Sequence, residues 1–155
     1  MSLIKVPSTR FGEQEIEEEK VIRMPEGMLG FPDKRFVLLT PPKPGPFLWF
    51  QSAEDPNLAF VVVDAKECVP ELTFPLTSDE FQKLELDPER PDLIFLLVVT
   101  MAPDPLDITV NLQGPIALNA EKLIAKQIVL DGVNYTTRHP FFAPAARQAA
   151  GRDTA

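Results

Sequence analysis

Phe47-Leu48-Trp49-Phe50-Gln51-Ser52-Ala53-Glu54-Asp55-Pro56-Asn57-Leu58-Ala59-Phe60-Val61-Val62-Val63 places two apolar runs on either side of an acidic, proline-bearing turn. Aromatic and β-branched side chains suit the pleated, half-buried surface of a strand, and Asp-Pro-Asn is built from residues that reverse a chain. The stretch reads as strand, turn, strand. Leu58 to Val63 lacks polar alternation, and so does Leu93 to Val99. Both are therefore expected to be covered on two faces, at the centre of the fold.

Outward from this pair, short apolar or alternating runs recur at Leu3 to Val6, Val21 to Met24, Phe36 to Leu39, Leu93 to Met101, Ile108 to Leu112, Ile116 to Leu118 and Gln127 to Leu130. Turn residues separate them at Pro25 to Gly30, Pro41 to Pro46 and Pro103 to Pro105. Seventeen prolines leave little room for long helices. Asp131-Gly132, between 127–130 and 133–136, predicts a type I′ hairpin, because Asp-Gly tolerates the positive φ needed at both central positions. One helix is expected at about 77–86: Thr77 and Glu80 have capping-box spacing, Leu76 and Phe81 that of a hydrophobic staple, and Pro88 would stop it. Its Phe81 and Leu84 share a face that would lie on the sheet. The fold class is mainly β: a single-domain compact β-barrel or sandwich with one short helix, spanning 1–140. A tail at 141–155, without a capping residue or periodicity, is expected to fray.

With 155 residues, 45% of them hydrophobic, the chain can bury one substantial core. The opening MSLIKVPSTRF turns polar within a few residues, so a cleaved secretion signal is not expected. Leu93 to Met101, the longest apolar run, falls well short of the roughly 20 residues that span a bilayer. Cys68 is the only cysteine and is expected to be a buried, inert thiol in a reducing, cytoplasmic setting. A formal net charge of −8 argues against sequence-independent nucleic-acid binding and favours encounter with basic partners.

No phosphate loop, paired CxxC, HExxH or GxSxG motif occurs. His139 is the only histidine, so any triad would have to use it. Pro140 biases it toward an extended strand end, where a structural or interface role is the expectation. One His and one Cys leave carboxylates to complete any transition-metal site, and none is predicted; no catalytic residue or cofactor is predicted either. Asp104 with Asp107, and Glu54 with Asp55, read as turn formers. The acidic run Glu13 to Glu19 reads as a solvated hairpin tip between a strand ending at Ile16 and one starting at Val21.

Four blocks carry a resemblance. They are RFGEQEIEEEKVIRMPEGMLGF from Arg10 to Phe31, WFQSAEDPNLAF from Trp49 to Phe60, Asp107-Ile108-Thr109-Val110-Asn111-Leu112 with Gly114-Pro115-Ile116, and Tyr135-Thr136-Thr137-Arg138-His139-Pro140. In this order they resemble the FliW family of flagellar assembly factors, and the likeness runs from Arg10 to Pro140. Met24 stands where an aromatic or aliphatic residue is common, and Ala125 where a glycine is expected. The resemblance implies a cytoplasmic, non-enzymatic regulator that binds flagellin and the translational regulator CsrA. Flagellin would displace CsrA, which represses flagellin translation when free. No direct contact with nucleic acid or membrane is implied. The candidate partner-binding residues are Glu15, Glu17, Glu18, Glu19, Gln51, Glu54, Asp55, Asn111 and Arg138. Gln51, Glu54 and Asp55 are expected to be exposed where strand meets turn. Asn111 could instead satisfy backbone groups, Arg138 could pair with an acid, and Trp49 could anchor an interface or pack in the core. The competing reading is a small carboxylate-based enzyme of unknown reaction, since carboxylate pairs leave no spacing signature.

Overall fold

The structure is a computed structural model, described here for residues 2–43, 45–130 and 134–142. Its strands among these residues are β1 (Leu3–Val6), β2 (Gln14–Glu17), β3 (Ile22–Arg23), β4 (Arg35–Leu39), β5 (Phe47–Ser52), β6 (Ala59–Asp64), β7 (Leu93–Thr100), β8 (Thr109–Val110), β9 (Ile116–Asn119), β10 (Ile124–Gln127) and β11 (His139–Pro140). Among the same residues one α-helix, α1, covers Ser78–Lys83. β1 and β2 form a separate hairpin; the other nine strands make one sheet.

The order β7-β6-β5-β4-β3-β10-β9 returns to β7 through a second pairing, so seven strands close into a ring. Closure pairs most of the edge that an open sheet would present. Six of the seven junctions are antiparallel; β3 and β10 meet in parallel, Ile124 opposite Arg23. β8 extends the β9 side of β7 toward its C-terminal end, and β11 follows it.

Strand alternation assigns each side chain to the inside or outside of this ring. Ile22, Phe36, Phe50, Val62, Leu96, Ile116, Leu118 and Ala125 fill the interior, joined by Leu48, Phe60, Ile94 and Val98. Phe36 and Phe50 stack at its centre with ring centroids 4.5 Å apart. On the outside, Val61, Val63, Leu93, Phe95, Leu97 and Val99 belong to a second cluster, roofed by Val69, Phe74, Phe81, Leu84 and Leu86 from the segment that carries α1. A third, smaller cluster unites Val37, Leu39 and Trp49 with Ile4, Val6 and Ile16 of the hairpin. Continuous hydrophobicity in β6 and β7 follows directly: their inner faces line the barrel and their outer faces meet the α1 roof.

The capping box of α1 is present, with Thr77 Oγ1 accepting from Glu80 N–H and Glu80 Oε1 accepting from Thr77 N–H. The helix nevertheless stops before Pro88. Glu85 takes a positive φ of 53°, and Asn119 Nδ2 donates to the carbonyls of Leu84 and Glu85, leaving the chain free to bury Leu86.

Two other expectations are corrected. The strand predicted at 127–130 is displaced to Ile124–Gln127. Beyond it, Ile128 N–H reaches the Pro115 carbonyl and Leu130 N–H that of Gln113, but Pro115 has no N–H to return, so no regular ladder continues. The predicted partner at 133–136 is likewise not a strand over its described residues, 134–136, and the tip itself, 131–133, lies outside the described residues. The fraying expected from 141 does not hold for Phe141, whose N–H binds the Ile108 carbonyl and whose ring lies 5.0 Å from Phe47; residues 143–155 lie outside the described residues.

Candidate functional site

Glu15, Glu17, Glu18 and Glu19 lie along β2 and a following 3-10 turn, Glu18–Lys20, rather than at a hairpin tip. The reversal is at 7–13 instead, where Ser8 and Gly12 exchange backbone hydrogen bonds. Pairing of Ile4 with Ile16 and Val6 with Gln14 turns one hairpin face onto the barrel. Lys5 opposite Glu15 and Leu3 opposite Glu17 then project on the other face. Glu15, Glu18 and Glu19 are exposed and Glu17 is half-buried. Among the described residues none of these four carboxylates forms an ion pair, whereas Glu26 meets Lys83 and Lys126, and Glu85 meets Lys122.

The strip borders a cleft of about 550 Å³. Glu15, Glu17, Glu19, Glu121, Ala120 and Leu123 line it, over the apolar Ile22, Val37 and Leu38. Lys20 is the only cation of this lining among the described residues. On the far side of the 3-10 turn, Glu18 and Glu19 border a hollow that also holds Arg23, Arg35 and Lys122. The negative field is therefore concentrated on the Glu15 and Glu17 side.

The Glu-Asp-Pro turn works differently. Gln51, expected to be exposed, is fully buried beneath the hairpin loop. Its Oε1 accepts from Ser8 Oγ at 2.9 Å, and its Nε2 lies 3.0–3.1 Å from the carbonyls of Ser52, Asp55 and Leu58. It fastens the loop to β5 and is inaccessible to a partner. Strand alternation is the reason: Gln51 shares the outer face with Trp49, and the hairpin covers that face. Glu54 and Asp55 are exposed, yet Glu54 Oε1 accepts from the N–H groups of Lys34 and Arg35, and Asp55 Oδ1 from Asn57 N–H. Trp49 packs in the third cluster, edge-on to Phe11, with the Arg10 guanidinium 4.4 Å above its ring.

Asn111 and Arg138 flank the β8–β11 ladder, on another part of the sheet. Asn111 Oδ1 accepts from Gln113 and Gly114 N–H, the backbone role left open above. Arg138 is exposed. The nine candidates thus form three groups rather than one site. Sequence reasoning missed Ser8, which holds Gln51, and Glu121, which closes the cleft; both are brought in by tertiary contact, without a local signal.

His139 is half-buried and paired with Val110 in β11. Burial, reinforced by Glu71, Asp64 and Glu67, pushes the Cys68 thiol up to about 11, so it carries little thiolate near neutrality. Among the described residues no three His, Cys, Asp or Glu side chains are grouped to hold a metal, and no helix is long and apolar enough to cross a membrane.

A family model described as FliW protein matches residues 5–141. Curated relatives named flagellar assembly factor FliW include one from Geotalea uraniireducens, 63% identical over 148 residues and covering 96% of this chain and 90% of its own. Another, from Geobacter sulfurreducens, is 57% identical and covers 95% and 92%. A crystal structure of the flagellar assembly factor FliW superimposes with a TM-score of 0.83 at 33% identity, covering 90% of this chain and 98% of that one.

Proposed function

The chain belongs to the FliW family of flagellar assembly factors, and from that premise we propose that it acts in the cytoplasm by binding, as a switch between flagellin and CsrA. Free of flagellin, it sequesters CsrA and relieves repression of flagellin translation. Occupied by unsecreted flagellin, it releases CsrA, and translation falls. No chemical step on a substrate is needed.

The observation that supports this reading is the strip of Glu15, Glu17, Glu18 and Glu19, free of ion pairs among the described residues and set beside an apolar-floored cleft. A protein that holds RNA must carry positive charge. Fields of opposite sign mainly accelerate encounter and fix orientation. A switch further requires each ligand to weaken the other, and such coupling is reciprocal at equilibrium. Calorimetric titration of CsrA into a preformed complex with flagellin is expected to give an affinity at least several-fold weaker than into the free protein. Equal affinities would remove the switch.

A further inference from the structure

The floor of the acidic cleft contains an unfinished strand edge. β3 contributes only Ile22 and Arg23 to its ladder with β4, opposite Phe36 and Arg35. Continuing that register would place Lys20 opposite Leu38, but Lys20 is in the 3-10 turn, whose end is closed by Val21 N–H on the Glu18 carbonyl. β4 itself runs on to Leu39, so from Val37 to Leu39 it is paired with β5 alone.

Strand geometry decides which backbone groups face the gap. The Arg35 carbonyl accepts from Ala53 N–H, on the β5 side. The groups of Phe36 and Leu38 consequently point to the β3 side. Phe36 is matched there by Ile22; Leu38 faces the cleft, with no β3 residue in register. An open edge of this kind is a template for an added strand, the main chain supplying affinity and alternate side chains supplying specificity.

The walls specify the strand. Four carboxylates, Glu15, Glu17, Glu19 and Glu121, against one cation, Lys20, give a local excess of three negative charges over an apolar floor. An acidic segment would be repelled, and a purely apolar one would leave the carboxylates without a counter-charge. We propose that this cleft is a strand-addition groove for an extended segment of a partner protein with alternating basic and apolar side chains, which pairs with the β4 edge at Leu38 and sets its cations between Glu15, Glu17, Glu19 and Glu121. It rests on the partner-binding reading above and adds to it a place, a backbone geometry and a side-chain pattern.

The probe is a dye-labelled eight-residue peptide of alternating lysine and valine, titrated into the full chain at low salt and followed by fluorescence anisotropy. Saturable binding is expected, with hydrogen exchange slowed at the amide of Leu38. The quadruple variant Glu15→Gln, Glu17→Gln, Glu19→Gln, Glu121→Gln should bind at least tenfold more weakly. So should a peptide N-methylated on alternate amides, which keeps its charge but cannot complete a ladder. Equal binding of the methylated and unmethylated peptides would overturn strand addition. Equal binding by the variant and the parent protein, or equal binding of a glutamate-valine peptide, would overturn the groove. Neither flagellin nor CsrA enters the titration, so its outcome is separate from that of the calorimetric test.

Discussion

Two acidic stretches of this molecule, one in β2 and the 3-10 turn and one in the turn after β5, have similar composition and opposite uses. At the second, Glu54 ties down two backbone N–H groups of the chain entering β4, Asp55 closes its own turn, and Ser52 Oγ donates to Asp33 at 2.6 Å. Those acceptors are occupied by the fold. At the first, Glu15, Glu17, Glu18 and Glu19 have no cationic partner among the described residues, and Glu15, Glu17 and Glu19 line an open cleft. Exposure does not separate the two stretches, because Glu54 and Asp55 are exposed, and so are Glu15, Glu18 and Glu19. What separates them is whether a nearby backbone donor has already satisfied the carboxylate.

The largest effect should come from Gln51, where the turn is anchored under the hairpin. Gln51→Leu conserves volume but leaves the Ser8 hydroxyl proton without its acceptor and removes the amide donor facing three carbonyls. A loss of about 3 kcal/mol in urea unfolding is expected, with the slope unchanged. Loss below about 1 kcal/mol would mean that water replaces these bonds and that the hairpin is only loosely tied to β5. A smaller effect is expected for Glu54→Ala, which frees the N–H groups of Lys34 and Arg35 at an exposed site. About 1 kcal/mol of stability should disappear without change in partner affinity. If partner affinity fell and stability did not, the division between structural and available carboxylates would be wrong at this residue.

The barrel was legible where physical pattern is local or covers both faces of a strand. β6 and β7 reveal themselves by missing alternation, and α1 by Thr77 and Glu80. Closure of the ring was not legible, because the parallel meeting of β3 with β10 joins residues about a hundred positions apart through a single register pair, Ile124 with Arg23. The expected strand at 127–130 is displaced because β-branched composition does not reveal that Pro115, on the adjacent segment before β9, interrupts the ladder. Gln51 was read from its neighbours in sequence, next to a turn, whereas its environment is set by Ser8, 43 positions earlier. The acidic strip was visible as composition, but its cleft depends on Glu121 and Leu123, which only tertiary structure delivers.

Least disturbing to the fold, and most direct for the account, is neutralisation of the strip itself. Glu15→Gln, Glu17→Gln, Glu18→Gln and Glu19→Gln combined should change stability by no more than about 0.5 kcal/mol, since none of these side chains has an ion-pair partner among the described residues to lose. Association with CsrA, followed by stopped-flow fluorescence, should slow by about tenfold at low salt. The difference should close as salt rises and the Debye length falls to about 8 Å and below. A variant that associates at the parental rate at low salt would contradict the claim that this strip receives the basic partner, while leaving membership of the FliW family untouched.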